Sequence, residues 1–205
     1  MPFSLSLILS TIRAAKDVVL NRRIQEKRKI LLEELSSADA SMLYAITEDE
    51  LLACIYQFDI AAMKGAAVYK LRLMARVLRG QVEAGPLVAD EFFSNSEMIA
   101  SLRQEEIKLV ATLHRVWNEN SGVADFSERM TQTMISVYGE LVPKVFASID
   151  AMNSVAVAVQ RTGLIVYTGI LTSGDVPENL VMLRTTARMV EFAQLARIET
   201  LGIEW

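Results

Sequence analysis

The chain has 205 residues, 52% of them hydrophobic, with a mean hydropathy of +0.28 and a formal net charge of −4. Such a length can bury a substantial core, as one domain or two small ones, and the slight acidity excludes non-specific attraction to nucleic acid by the molecule as a whole. The apolar excess points to helices buried on more than one side, or to self-association.

The longest uncharged run, residues 162–174, is thirteen residues, and a membrane-spanning helix needs roughly 20. Residues 1–12 are uncharged, but the basic residues follow them, the wrong order for a secretory signal peptide. A lone cysteine, Cys54, allows no internal disulfide and makes an intracellular, cytoplasmic location the expectation.

Residues 2–35 carry an uneven helical stripe through Ile8, Ile12, Ala15, Val19, Ile24, Leu31 and Leu35. Seven basic residues between positions 13 and 29 face only Asp17 and Glu26. Arg22, Arg23, Lys27, Arg28 and Lys29 form a candidate patch for an anionic partner; the plainer reading is a solvated helix face. After a polar break at 36–41, Thr47 and Glu50 make a capping box, each serving a free backbone N–H. The helix it opens should carry Leu51, Leu52, Ile55, Tyr56 and Ile60 inward and stop at Gly65.

The next helix is expected over 66–79, with Leu71, Met74, Val77 and Leu78 on its apolar face and Arg72, Arg76 and Arg79 on another. Gly80 and Gly85-Pro86 should close it. A helix over 87–100 should bury Phe92, Phe93, Met98 and Ile99. A weaker box, Ser101 with Gln104, introduces the most amphipathic helix, ending near Trp117. Asp125 caps a helix over 126–138 that Gly139 should break.

Residues 148–161 read as a helix stopped by Gly163. The β-branched and aromatic run Leu164 to Thr168 then reads as a strand. Turn chemistry at 173–177 leads to a returning strand over 180–184 and a closing helix over 186–200.

From residue 103 onward this order, helix, helix, helix, hairpin, helix, resembles a winged-helix domain. Residues 148–161 match that family's recognition helix, 160–165 the passage into its wing, and Arg184-Thr185-Thr186 the wing's return. The resemblance implies DNA as one partner. However, the matching helix offers only Asn153, Ser154, Gln160 and Arg161 beside Asp150 and the run 155–159. The matching wing tip carries Asp175 and Glu178, with Arg184 behind them. Phosphate neutralisation supplies most of the affinity in such complexes, so these residues suit protein interaction or dimerisation better.

Residues that could carry chemistry are sparse. His114, the only histidine, falls on an apolar face beside Ile107, Val110, Ala111 and Trp117. It has no second imidazole or Glu-x-x-His partner, so a buried structural role is expected. Cys54 lies sixty residues away and reads as a small buried hydrophobe. Asp90-Glu91 and Glu105-Glu106 are neighbours in a helix, so neither pair shares one site. No phosphate-binding glycine pattern is present, and ten methionines spread over the chain read as core filler.

The resulting expectation is a mostly α-helical chain of eight or more helices with one hairpin near 163–184. Residues 1–100 form a multi-helix region, and residues 101–205 a winged-helix-like α+β region, separate or packed as one unit. The expected core is Leu52, Ile55, Leu71, Met74, Phe92, Val110 and Leu113, continuing with Trp117, Val155, Val159, Ile165, Met182, Val190 and Ala193. No catalytic, cofactor or metal residue is assigned. The expected function is that of a non-enzymatic protein working through protein–protein or self-association surfaces, as a homodimer. The alternatives are a DNA-binding transcriptional regulator with weak affinity at most, and a peripheral membrane protein held by Phe3, Leu5, Ile8 and Leu9 with the basic segment behind.

Overall fold

The computed structural model describes residues 22–38, 46–171 and 179–198, apart from the side chains of Arg22 and Arg23. These residues form eight α-helices and one two-stranded antiparallel sheet, divided after Ser101 into two units. The described residues are therefore mostly helical, with one hairpin in the second half of the chain.

Unit 1 contains α1 (Arg22–Ser36), α2 (Glu48–Met63), α3 (Val68–Ala84) and α4 (Ala89–Ser101). Thr47 opens α2 by accepting the Glu50 backbone N–H at 3.3 Å. The buried stripe of α2 is Leu51, Cys54, Ile55, Phe58, Asp59 and Ala62, a three- and four-residue rhythm that keeps one face inward. Leu52 and Tyr56 fall off that rhythm and are exposed, by 38% and 67%. The Glu50 carboxylate does not close the expected box. It accepts the backbone N–H of Ala89 at 2.5 Å, so a side chain of α2 caps the start of α4. Gly65 stops α2 at φ +84°, where a side chain would be strained.

α3 runs through Gly80, where the sequence pattern placed a break. A mid-helix glycine costs about 1 kcal/mol, and here every residue from Val77 to Val82 is buried, so packing outweighs that cost. The helix ends at Gly85. α4 begins two residues later than expected and buries Phe92, Ser96, Met98 and Ile99, whereas Phe93 is only half-buried.

Unit 2 contains α5 (Gln104–Glu119), a 3-10 turn (Asn120–Gly122), α6 (Phe126–Leu141), α7 (Ile149–Val159) and a second 3-10 turn (Gln160–Thr162). Strands β1 (Ile165–Leu171) and β2 (Leu180–Thr185) follow, then α8 (Ala187–Ala196). The Ser101–Gln104 box is not formed. Ser101 donates to the Met98 carbonyl at 2.7 Å, and the helix starts at Arg103, whose backbone N–H is taken by Glu106 at 2.7 Å. Asp125 caps α6 at 2.7 Å, and the helix passes Gly139 to reach Leu141. Ser148 caps α7, whose buried face is Met152, Ala156 and Val159.

Gly163 at φ +72° turns the chain out of the 3-10 turn into β1. The strands pair from Ile165 with Thr185 to Leu171 with Leu180, with a bulge at Thr168 between Tyr167 and Gly169. The Thr168 hydroxyl donates to the Met182 carbonyl at 3.2 Å and so fills the gap in the ladder. Thr186 caps α8 by accepting the Met189 N–H at 3.2 Å, while its hydroxyl donates to the Gly163 carbonyl at 2.6 Å. One side chain thus ties both ends of the hairpin. The turn at 173–177 and the wing-tip residues Asp175 and Glu178 lie outside the described residues.

Most of the expected core is buried, including Ile55, Leu71, Met74, Phe92, Val110, Leu113, Val159, Ile165 and Ala193. Leu52 and Val190 are exposed, and Trp117, Val155 and Met182 are half-buried. The helical ones sit toward the edge of a buried stripe.

Candidate functional site

The helix that a winged-helix domain would offer to DNA is α7, and its polar side chains work inside unit 2. The Asn153 amide grips the outer edge of β2: its N–H donates to the Asn179 carbonyl at 2.7 Å and its oxygen accepts the Val181 N–H at 3.4 Å. This amide mimics a neighbouring strand and blunts an otherwise open edge. Gln160 does the same for β1, accepting the Tyr167 N–H at 3.1 Å. Ser154 bonds back to the Asp150 carbonyl at 2.8 Å.

Arg161 grips Glu106 of α5 with two parallel bonds of 2.6 and 2.8 Å, the fork geometry that suits a carboxylate. Glu106 is fully buried, and Arg103 adds a guanidinium contact at 3.4 Å. Burial alone would raise the Glu106 carboxyl, but the Arg161 bonds, the Arg103 backbone bond and both positive charges hold it below the ordinary 4.5. Arg161 is raised in return, chiefly by its hydrogen bond to Glu106. Each of the four polar side chains singled out on α7 and the 3-10 turn after it therefore has an internal partner.

A cleft of about 530 Å³ opens between α5 and α8. The α5 wall is His114, Trp117 and Asn118; the α8 wall is Val190, Ala193 and Gln194, and Arg197, the left-handed residue that follows the helix, stands beyond them. Both sets follow the three- and four-residue helical step, so each helix turns one face to the cleft. His114 and Ala193 are each only 5% exposed and form its floor. Asn118, Gln194 and Arg197 stand exposed at its rim. The Asn118 amide nitrogen lies 3.1 Å from His114 Nε2. The Trp117 ring is held by Arg129, whose guanidinium lies 4.0 Å from its centroid and donates to the Trp117 carbonyl at 2.6 Å, and by Phe126 edge-on at 5.7 Å. Trp117 and Val190, expected in the core, line this cleft instead.

The basic row of α1 is divided by the structure. Lys29 is exposed and Lys27 half-buried, whereas Arg28 is 7% exposed and turned inward onto Asp59 of α2. Its Nε donates to Asp59 Oδ1 at 3.0 Å, and its Nη2 pairs with Oδ2. Arg22 and Arg23 occupy the first turn of α1, and their side chains lie outside the described residues, as do Phe3, Leu5, Ile8 and Leu9. A second cationic row converges on α1: Arg76 and Arg79 reach Glu34 at 3.1 and 3.3 Å and Arg72 stands at 4.0 Å. Sequence reasoning missed Asp59, although it lies eight residues after Leu51 on the same stripe. Glu106 was equally readable, four residues before Val110.

Cys54 is fully buried in unit 1, and burial followed by the charge of Glu50 pushes its thiol up to about 12. A thiol so rarely ionised is a poor nucleophile. Among the described residues, no three His, Cys, Asp or Glu side chains stand where they could hold a metal ion, and no helix is long and apolar enough to cross a membrane.

No protein-family model, no curated protein and no solved structure matches this chain. Its functional reading therefore rests on its own residues.

Proposed function

We propose that this protein is a non-enzymatic intracellular protein that works through self-association and protein-binding surfaces, as a homodimer. The observation that carries the reading is the outer face of α2. Leu52, Tyr56 and Met63 share one side of that helix and are 38%, 67% and 52% exposed; Val68, at the start of α3, adds a further 45%-exposed apolar side chain. Scattered single apolar residues on a surface need no explanation, but a helix with one stripe inward and a second outward does. The engagement of Asn153, Ser154, Gln160 and Arg161 within unit 2 supports this reading over a DNA regulator.

Light scattering of the native chain at high micromolar concentration tests it. The expected result is twice the chain mass, falling to one chain mass in Leu52→Glu/Tyr56→Glu with the helical spectrum unchanged. A native monomer at that concentration would end the proposal. A dimer indifferent to the double substitution would move the interface elsewhere.

A further inference from the structure

The chain leaves α8 at the mouth of the cleft between α5 and α8. Arg197, one of the lining residues, takes the left-handed conformation (φ 45°, ψ 47°) that turns a chain away from its helix, and Ile198 after it is fully buried. The residues that follow, 199–205, lie outside the described residues, but their sequence is Glu-Thr-Leu-Gly-Ile-Glu-Trp. Leu201, Ile203 and Trp205 stand two apart, with Gly202 and Glu204 between them. In an extended chain this spacing gathers the three apolar side chains on one face and turns Glu204 to the other.

The cleft offers a surface for such a face. Trp117 is half-buried on one wall and Val190 is 42% exposed on the other, with Ala193 on the floor. A volume of about 530 Å³ falls within the roughly 300–1,000 Å³ that holds a drug-sized molecule, so a few large side chains fit. From Val190 to the Arg197 cap the lining runs roughly 10 Å at the helical rise. Seven extended residues span about 23 Å, enough to reverse direction and still cover that wall.

We propose that the occupant of this cleft is the chain's own segment 199–205, folded back along α8 with Leu201, Ile203 and Trp205 against Val190, Ala193 and Trp117. Attachment favours this segment over a free ligand. Glu199 is two residues from a lining residue, which holds the segment at the site at an effective concentration on the order of millimolar. The Gln194 amide at the rim can serve the extended backbone, as the Asn153 amide serves β2.

Nuclear Overhauser contacts in the full chain test this, because His114 is the only histidine and Trp205→Phe separates the two indoles. The expected contacts run from the Trp205 indole and the Leu201 and Ile203 methyls to the His114 ring and the Val190 and Ala193 methyls. The Trp205 indole N–H should also be shifted from its position in the free peptide Glu-Thr-Leu-Gly-Ile-Glu-Trp. Leu201→Ser/Ile203→Ser should abolish the contacts and return Trp205 to that position; if this variant fails to fold, Val190→Glu, at an exposed position of α8, replaces it. The proposal is overturned if the native chain lacks the contacts, or if they survive the substitutions. Isotope-filtered spectra of mixed labelled and unlabelled chains identify the source of the segment. Contacts within one chain support the proposal, and contacts between chains give the cleft to a second copy and overturn it. A native monomer would end the dimer reading of the α2 face and leave this one standing.

Discussion

In unit 1, α1 is joined to its neighbours by full charges: Arg28 to Asp59 of α2, and Glu34 to the arginine row of α3. In unit 2, the hairpin is joined to α7 mostly by neutral groups: the Asn153 and Gln160 amides on the two strand edges and the Thr186 hydroxyl beneath Gly163. The Arg161–Glu106 fork, between the second 3-10 turn and α5, is the charged exception. The difference matters because the two chemistries fail differently. A buried ion pair adds little net stability over an apolar pair, yet losing one partner strands a desolvated charge. A neutral amide adds a modest amount and costs a comparable amount when removed. Unit 1 should therefore be brittle to single substitutions at its pairs, and unit 2 graded.

The largest effect is expected at Asp59. Replacing it by Asn removes the carboxylate that pairs with the buried Arg28, which costs roughly 3–5 kcal/mol. Urea unfolding measures it directly. The paired change Arg28→Met/Asp59→Leu should restore most of that loss, since two apolar side chains carry no desolvation penalty. A loss below about 1 kcal/mol in Asp59→Asn would mean the charges are solvated, and the contrast between the units would collapse.

Glu106 comes next and should behave like unit 1 despite lying in unit 2. Glu106→Gln removes the charge from a fully buried site with two Arg161 bonds, a loss of about 2–3 kcal/mol. Its native pKa lies below the ordinary 4.5, so the unfolded chain takes up the proton first. The stability it contributes is complete above pH 4.5 and disappears as pH falls through the lower native value. Acid unfolding of the native chain should thus show a component that Glu106→Gln lacks. Identical acid profiles for the two chains would show that Arg161 does not hold the carboxylate in solution.

The fold was legible where one physical signal governed each element. Thr47 and Asp125 each cap the helix that the sequence opens with them, and Gly163 stands after the helix that it was expected to stop. Reading failed where local chemistry competed with tertiary contacts. Gly80 and Gly139 look like helix stops, but in the interior of a helix glycine costs only about 1 kcal/mol, and burial around Gly80 exceeds that. Glu50 has the right spacing to cap its own helix and instead caps α4, because the Ala89 N–H has no acceptor within its own turn. The cleft was illegible for a further reason. Trp117 and Val190 lie on the apolar faces of two helices, and nothing local in the sequence shows that those faces stop short of closing on each other.

Asn153 tests the graded side of the comparison. Asn153→Ala releases the Asn179 carbonyl and the Val181 N–H to water at an exposed edge, so the loss should be about 1–2 kcal/mol. Hydrogen exchange should localise it, with faster exchange in β2 and little change in α5. Loss of protection across the whole of unit 2 would mean that this amide is as critical as an ion pair.

The smallest effect on folding belongs to the outward half of the basic row, and it separates structure from binding. Lys29 is exposed and Lys27 half-buried, so Lys27→Gln/Lys29→Gln should change stability by no more than about 0.5 kcal/mol. Arg28 sits between them in sequence but belongs to the buried pair, so a set of substitutions that includes it confounds unfolding with lost charge. Any affinity for DNA should be weak, with phosphates as its source, and each lysine removed should lower the slope of log K against log salt by about 0.9. A gel shift at low salt, run on the native chain, the double variant and a variant also carrying Arg22→Gln/Arg23→Gln, follows this step by step. The expected outcome is progressive loss with the fold intact, leaving no sequence preference at any stage. Tight binding at physiological salt that survives all four substitutions would place the contact on α7 and the hairpin, and would require Asn153, Gln160 and Arg161 to exchange their internal partners for DNA.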